Sequence, residues 1–334
     1  MTGAESRSEH RSAVIGNADN FWLFSSQNGF DLTHPTELDP PPLGSRLILK
    51  TSTSPIALSP AKTALVIIDM QNFFLSEAFG RIKGPGHAAA ESLVNNAIPA
   101  ARKSGVRVVW VNWGLTDKDV KTMPPAVKRA FGFETVPGTM AGLSSPFDEQ
   151  PNGIAVNKFG DTRHVGGSVL LENGKDGRIY RGLGSPCGTV VLESGNEVDA
   201  GRLLMRDTWN AALYPPLDKV YRQGSRLPST PDVWIHKNRM SGMWGQSSAL
   251  EEFLEDQGIR TLLFAGVNTD QCVSGTLTDA FSKGYDCVLL GDGAGTTSPG
   301  FSQECIEYNA AKTWGFLSST DDFARAVDEM EPRT

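Results

Sequence analysis

From Lys62 onward, short apolar runs alternate with helical segments, and this alternation restricts the possible folds more than any other feature. Each run is short, and its neighbours are segments of helix length, as expected for strands buried on both faces. The predicted strands are 63–69, 106–112, 232–237, 261–265, 286–292 and 315–319. Six strands that alternate with helices predict an α/β fold, in which a parallel sheet is covered on both faces. Ligands of such sheets bind beyond the carboxyl ends of the strands.

Two regions interrupt the alternation. Residues 1–60 are rich in Pro, Ser and Thr, and we expect an extended N-terminal arm ahead of a domain that covers 61–330. Within that domain, residues 134–230 are rich in Gly and Pro and contain short runs typical of hairpins. A long segment with such runs predicts an ordered insertion rather than a structureless loop.

Composition narrows the possible partners. The 334 residues carry a net charge of -7, which argues against nucleic acid and anionic membrane surfaces. No apolar run is long enough to span a membrane, and the N-terminus lacks the apolar core of a secretory signal. Four scattered cysteines without a C-x-x-C pair indicate reduced thiols, so we expect a cytoplasmic protein. The five histidines do not cluster at ligand spacing, so we expect no metal and no cofactor.

Three chemically reactive side chains fall at the carboxyl ends of predicted strands. Asp69 ends "LVIID", Lys237 ends "VWIHK", and Cys272 follows "LLFAG" at the start of a helix. A carboxylate near a thiol can accept its proton, and a lysine nearby stabilises both anions. Helix N-termini also lower the pKa of a thiol, so we expect a thiolate at Cys272.

A structural explanation of the same residues stays open at this point. Asp69 and Lys237 could form an ion pair without a catalytic role, and Cys272 could be a small buried residue, because free cysteines are among the most buried residues. The other cysteines, Cys187, Cys287 and Cys305, carry no comparable pattern and are interpreted as structural or incidental.

The segments around these residues resemble a known family. "ALVIIDMQNFF", "HKNRMSGMWG" and "GVNTDQCV" are similar, in order and spacing, to the three signature segments of the isochorismatase-like cysteine hydrolases. The resemblance covers about 60–134 and 230–330, and the motifs look closest to those of ureidoacrylate-type amidohydrolases. It implies a three-layer α/β/α fold with a central six-stranded parallel sheet, to which the insertion at about 134–230 is added.

The resemblance also implies roles for individual residues. It places an Asp-Lys-Cys catalytic triad on Asp69, Lys237 and Cys272. It implies a cis peptide bond between Val267 and Asn268, and an oxyanion hole formed by the backbone N–H groups of Asn268 and Cys272.

Several residues beside the triad are candidates for the substrate pocket. They follow the same strand ends and are Asn72, Phe73, Asn112, Trp113, Arg239, Met240 and Trp244. The aromatic members could equally belong to the core or an interface, and Arg239 could hold a substrate carboxylate or form a structural ion pair. The stretch "VNWGLTD" lacks the histidines with which nicotinamidases of this family bind a metal.

These observations favour a cysteine hydrolase that cleaves a C–N bond of a small amide, ureide or imide through a thioester. One alternative is isochorismatase-type hydrolysis of a vinyl ether with Asp69 as the acid. Another is a non-catalytic binding protein on the same fold. The expected partners are a small-molecule substrate and further copies of the chain, as a dimer or tetramer.

Overall fold

The computed structural model describes residues 10–35, 46–136, 153–162 and 180–330. The strands before the main sheet are β1 (Ser12–Gly16), β2 (Phe21–Ser25), β3 (Gly29–Asp31), β4 (Leu47–Leu49) and β5 (Ile56–Leu58). The later strands are β6 (Thr63–Ile68), β7 (Arg107–Trp113), β8 (Phe133–Thr135), β9 (Ile154–Val156), β10 (Thr189–Val191), β11 (Glu197–Asp199), β12 (Val233–Lys237), β13 (Thr261–Val267), β14 (Asp286–Gly295) and β15 (Phe316–Ser318). The α-helices are α1 (Asn72–Leu75), α2 (Pro85–Ser92), α3 (Ile98–Ser104), α4 (Asp117–Thr122), α5 (Pro125–Ala130), α6 (Leu217–Gly224), α7 (Ala249–Asp256), α8 (Ser274–Ser282), α9 (Gly300–Asn309) and α10 (Thr320–Asp328).

The main sheet has six parallel strands in the order β12-β7-β6-β13-β14-β15. This confirms the predicted α/β fold and its central parallel sheet. In the middle of the sheet, Ile68 of β6 lies opposite Val111 of β7 on one side and Gly266 of β13 on the other. The carboxyl ends of β7, β6 and β13 therefore meet at one edge, with β12 directly beside them.

Helices cover both faces of this sheet and make three layers. On one face, Leu65 and Ile67 pack with Leu93 and Ala97 of the helical turn before α3, with Ile98 of α3 and with Phe323 of α10. On the other face, inward residues of the strands pack against α7 and α8 in a second apolar cluster. Its members include Ala64, Val66, Ile68, Leu250, Leu254, Leu277 and Ala280. All six residues of β6 are buried, which is why its sequence reads as an unbroken apolar run.

The N-terminal region contains paired strands in place of a single extended segment. β1, β2, β3, β5 and β4 form a five-stranded sheet in that order. It is joined to the main sheet by aromatic packing, in which the rings of Trp22 and Phe30 lie 5.9 and 5.7 Å from that of Phe316. Residues 1–9 and 36–45 of the predicted arm lie outside the described residues, and the division near residue 60 remains a prediction.

The predicted insertion at about 134–230 contains short strand pairs where it is described. β10 pairs antiparallel with β11 as a hairpin, and β8 pairs antiparallel with β9. Residues 137–152 and 163–179, which include part of the predicted hairpin run, lie outside the described residues. No helix in the described part of the chain is long and apolar enough to cross a membrane.

Candidate active site

The three predicted triad residues come together at the carboxyl edge of the main sheet. Asp69 directly follows β6, Lys237 is the last residue of β12, and Cys272 lies in a π-helical turn, Thr269–Val273, between β13 and α8. Lys237 Nζ lies 2.9 Å from Asp69 Oδ2. The Asp69 carboxylate also shares a hydrogen bond with the Cys272 thiol. The carboxylate therefore contacts both the thiol and the ammonium group.

Backbone contacts hold Asp69 between its two partners. Its φ of +55° lies in the left-handed region, which is uncommon for a residue with a side chain and often marks a functional site. Its N–H donates to the carbonyl oxygen of Val111 (3.0 Å), which extends the pairing of β6 with β7 by one residue. Its Oδ1 accepts a hydrogen bond from the N–H of Trp113 (3.1 Å). The conformation thus turns the carboxylate across the end of β7.

The turn after β12 fixes the position of the Lys237 ammonium group. Nζ donates to the carbonyl oxygens of Arg239 (3.0 Å) and Met240 (3.1 Å), in addition to its contact with Asp69. It also lies 4.1 Å from the centre of the Trp113 ring. Two of its three N–H donors are thus used by main-chain oxygens, and the contact with Asp69 is an ion pair. Lys237 is thereby fixed as the counter-charge of Asp69.

Burial is the largest influence on the pKa values of Asp69 and Cys272. Burial raises the pKa of Asp69, while the charge of Lys237 and the hydrogen bond with Cys272 act in the opposite direction. Burial also raises the pKa of Cys272 to about 12, assisted by the charge of Asp69 and opposed by Lys237 and by a hydrogen bond from Trp113. The expectation of a lowered thiol pKa is therefore wrong for the resting site. Removal from water outweighs the helix N-terminus and the nearby ammonium group.

The chain before Cys272 makes an abrupt turn. The peptide bond between Val267 and Asn268 is cis, as the resemblance implied. Gly266, just before it, has a φ of +113°, and a Cβ there would lie 2.1 Å from the carbonyl oxygen of Ile68. Only glycine fits this close approach of β13 to β6. The oxyanion-hole role of the Asn268 and Cys272 N–H groups remains a prediction.

A second connection joins the Lys237 turn to the Cys272 helix. Thr276 Oγ1 donates to the carbonyl oxygen of Cys272 (2.7 Å) and accepts a hydrogen bond from the N–H of Gly242 (3.0 Å). The hydroxyl of Thr276 therefore couples the position of Cys272 to that of the turn that holds Lys237.

The predicted pocket residues differ in how closely they approach the triad. Trp113 is associated with all three members: its backbone N–H donates to Asp69, its ring lies 4.1 Å from the ammonium group of Lys237, and its indole lowers the pKa of Cys272. Asn112 is fully buried and, because side chains alternate along a strand, lies on the opposite face of β7 from Trp113. Phe73 is buried in an aromatic cluster that reaches Trp113 through Phe131.

The residues after Lys237 contribute mainly through the backbone. The guanidinium of Arg239 stacks on Trp244, 4.5 Å from the ring centre, and donates to the carbonyl oxygen of Asn238 (2.7 Å). Met240 and Trp244 are exposed at their side chains, with 44 and 42% of their surface accessible. Their place in a substrate pocket remains a prediction.

Asn72 and its neighbour Gln71 connect the site to the insertion, a role that the sequence did not indicate. Asn72 Nδ2 donates to the carbonyl oxygen of Trp209 (2.9 Å), and Gln71 Nε2 donates to those of Ala211 (2.7 Å) and Trp113 (2.8 Å). Both side chains are buried. The sequence offered no signal for the contacts with the insertion, because their acceptors are main-chain atoms about 140 residues away.

The described residues contain no group of three or more His, Cys, Asp and Glu side chains arranged to hold a metal ion.

Known proteins resemble this chain in sequence. A family model described as "Isochorismatase domain" matches residues 194–321, which include Lys237 and Cys272. The chain is 26% identical over 288 residues to a ureidoacrylate amidohydrolase, RutB, of Rhizobium rhizogenes, covering 85% of this chain and 91% of the relative. It is 23% identical over 281 residues to the RutB of Klebsiella pneumoniae, covering 83 and 92% of the two chains.

A solved structure supports the fold. A cysteine hydrolase from Pseudomonas syringae pv. phaseolicola aligns with 88% of this chain and 100% of its own, with a TM-score of 0.52 and 15% identity. At that identity the likeness concerns the fold alone. Together with the family model and the curated relatives, it confirms the predicted resemblance to the isochorismatase-like hydrolases.

Proposed function

We propose that this chain, of which residues 194–321 match an isochorismatase domain, is an amidohydrolase that cleaves a C–N bond of a small amide, ureide or imide through a thioester on Cys272. The observation that carries the proposal is the contact of one carboxylate, Asp69, with both a thiol and a buried ammonium group. The curated relatives support it, because they are ureidoacrylate amidohydrolases.

In the first step, Cys272 Sγ attacks the substrate carbonyl carbon while Asp69 takes the thiol proton. Since burial raises the pKa of the thiol, proton transfer accompanies bond formation instead of preceding it. Negative charge then develops on the carbonyl oxygen. The backbone N–H groups of Asn268 and Cys272 stabilise that charge, an interaction typically worth about a hundredfold or more in rate.

In the second step, Asp69 returns the proton to the departing nitrogen, the C–N bond breaks, and the acyl group remains on Sγ. A water molecule then adds to the thioester carbonyl carbon as Asp69 accepts one of its protons. Collapse breaks the C–S bond, releases the acid product, and restores the thiol with the proton held by Asp69. Lys237 stays charged throughout and stabilises Asp69 whenever it is a carboxylate.

A second candidate is isochorismatase-type hydrolysis of a vinyl ether. The raised pKa of Asp69 favours it, because a carboxylic acid that is easily protonated can donate a proton to an enol ether. Cys272 would then be dispensable.

The test compares the wild type with Cys272→Ala and Cys272→Ser on a panel of amides, ureides, imides and one vinyl ether. Ammonia or amine release and vinyl ether loss measure turnover, and intact mass after rapid acid quenching detects an acyl group on Cys272. Cys305→Ser is the matched control, because Cys305 is an exposed thiol on α9.

We expect turnover of at least one C–N substrate, an acyl adduct in the wild type, and loss of both in the Cys272 variants only. Vinyl ether turnover that survives Cys272→Ala would support the second candidate. A wild type that turns over nothing and forms no adduct would contradict both and favour a non-catalytic protein.

A further inference from the structure

The N-terminal sheet ends in a strand whose outer edge is open. β1 lies at the end of the strand order β1-β2-β3-β5-β4, and among the described residues it pairs with β2 alone. All five of its residues are exposed, and Val14 and Ile15 keep 59 and 45% of their surface accessible. The strand contains no charged residue and no proline, which are common means of preventing one sheet edge from pairing with another.

The hydrogen bonds at both ends of β1 show which of its backbone groups face outward. The N–H of Ser26 donates to the carbonyl oxygen of Arg11 (2.9 Å), and the N–H of Asn17 donates to that of Asn20 (3.0 Å). In an antiparallel pair, hydrogen-bonded residues alternate with residues whose N–H and C=O groups point the other way. The residues of β1 that present these groups to the outside are therefore Ser12, Val14 and Gly16.

This outer edge is complementary to itself. In an antiparallel arrangement about a twofold axis at Val14, Val14 lies opposite the partner's Val14, and Ser12 lies opposite the partner's Gly16. Each of these pairs joins residues with outward N–H and C=O groups, so every outward group of the strand gains a hydrogen-bond partner. The side chain of Val14 shares a face with that of Leu23 on β2, and both line a groove of about 1030 Å³. The pairing therefore brings apolar side chains of the two copies together over this groove.

The charges beside β1 favour an antiparallel partner of the same sequence. Arg11 precedes the strand and Asp19 lies in the turn that follows it. Both are exposed, and neither forms an ion pair among the described residues. A parallel copy would bring the two Arg11 side chains together. An antiparallel copy instead brings Arg11 towards the partner's turn, which carries the opposite charge.

We propose that this chain forms a homodimer in which the β1 strands of two copies pair antiparallel and join the two N-terminal sheets into one. The interface consists of the outer edge of β1, with Val14 at its centre and Arg11 and Asp19 at its ends. The inference does not rest on the proposed function. The N-terminal sheet packs on Phe316 of β15, at the opposite edge of the main sheet from the strand β12 that carries Lys237.

The test measures mass in solution by analytical ultracentrifugation over a range of protein concentrations. We expect the wild type to sediment as a dimer, or as a multiple of it, and Val14→Pro to halve that mass. Proline removes the central outward N–H from both strands, so the dissociation constant should rise about tenfold or more through two lost hydrogen bonds. The bonds from β1 to β2 are kept, because the Val14 N–H is not among them.

Val191→Pro is the matched control. Val191 lies on the exposed strand β10 and is 57% accessible, close to the value for Val14. Its N–H also points away from its partner strand, because the next residue, Leu192, donates to Asn196 across the hairpin. The mass of this variant should equal that of the wild type.

Charge reversal tests the antiparallel arrangement. Arg11→Glu and Asp19→Lys should each raise the dissociation constant about threefold or more, as expected for exposed ion pairs that are replaced by like charges. The double variant should restore the wild-type value, because the pair is then present with its charges exchanged. A double variant as weak as the single variants would overturn the arrangement.

A wild type that stays monomeric at every concentration would overturn the proposal and leave the edge of β1 to a strand of another protein. A dimer that Val14→Pro leaves intact would also overturn it, by placing the interface elsewhere. If circular dichroism shows that Val14→Pro does not fold, Val14→Lys decides: dissociation supports the proposal, and an unchanged mass refutes it.

Discussion

Two buried aspartates occupy opposite ends of the main sheet, and their partners differ in kind. Asp286, at the start of β14, accepts hydrogen bonds from Trp22 Nε1 (2.8 Å) and Thr261 Oγ1 (2.9 Å) and lies 2.6 Å from His34 Nε2. Asp69, at the end of β6, is held by Lys237, a single backbone N–H and the Cys272 thiol. Both aspartates are almost completely removed from solvent.

The comparison shows that burial of a carboxylate does not by itself indicate function. Two partners of Asp286, Trp22 and His34, come from the N-terminal region, and with Thr261 of β13 they join that region to the main sheet. One partner of Asp69 is the thiol of Cys272, whose proton a carboxylate can take, and burial raises the pKa of Asp69. What distinguishes the catalytic candidate is therefore the chemistry of its partners.

The largest expected effect separates the two aspartates directly. Asp69→Asn should reduce kcat by about 10²–10⁴-fold, because the amide cannot accept the thiol proton. Asp286→Asn should leave kcat unchanged. Both should lower the free energy of unfolding, by about 1–3 kcal/mol for Asp286→Asn through lost hydrogen bonds. Steady-state kinetics on the best C–N substrate and urea unfolding measure the two quantities.

An Asp286→Asn variant that folds but loses kcat as strongly as Asp69→Asn would contradict this division of roles.

The next effect concerns the thiol beside Asp69. Because the pKa of Cys272 is raised to about 12, its thiolate fraction should grow about tenfold per pH unit from pH 7 to pH 10 without a plateau. Iodoacetamide labelling, followed by peptide mass, should therefore be slow at neutral pH and rise throughout this range. The exposed thiol of Cys305 is the internal reference and should label faster at pH 7.

A plateau of the Cys272 labelling rate below pH 8 would show a thiolate at neutral pH, and the coupled proton transfer would have to be abandoned.

A smaller effect is expected at Trp113. Trp113→Phe removes the indole N–H that lowers the pKa of Cys272 but keeps the ring beneath Lys237 and the backbone N–H to Asp69. We expect kcat to fall about tenfold, as for one hydrogen bond to a charged group, and the thiol pKa to rise further. Kinetics and the labelling profile test this. An unchanged labelling profile would mean that the indole N–H does not act on the thiol.

The smallest effect concerns the partners of Asp286. His34→Ala should lower the free energy of unfolding by about 1 kcal/mol through loss of the contact with Asp286, with kcat unchanged. His10→Ala is the control, since His10 contacts only the exposed Ser25 hydroxyl among the described residues. Equal stability of the two variants would refute the joining role assigned to Asp286.

The fold and the meeting of Asp69, Lys237 and Cys272 were predictable from sequence for a clear reason. In a parallel sheet, apolar runs identify the strands, and the residues that follow them share one edge. The cis bond at Val267–Asn268 was predictable only through family resemblance. The strands and the residues that follow them are thus set by local sequence patterns.

The features that were not predicted depend on tertiary contacts. The pKa of Cys272 follows from burial, which the helix N-terminus could not reveal. The N-terminal sheet consists of strands of three to five residues, some of which are exposed, so they lack a periodic apolar signal.

The anchoring of the insertion has an evolutionary consequence. The side chains of Gln71 and Asn72 donate hydrogen bonds to the main-chain carbonyl oxygens of Ala211 and Trp209 in the insertion. Every amino acid has such a carbonyl group. Side chains in the insertion can thus be exchanged without loss of these hydrogen bonds. Its sequence can therefore diverge while Asp69, Lys237 and Cys272 and their contacts stay as they are.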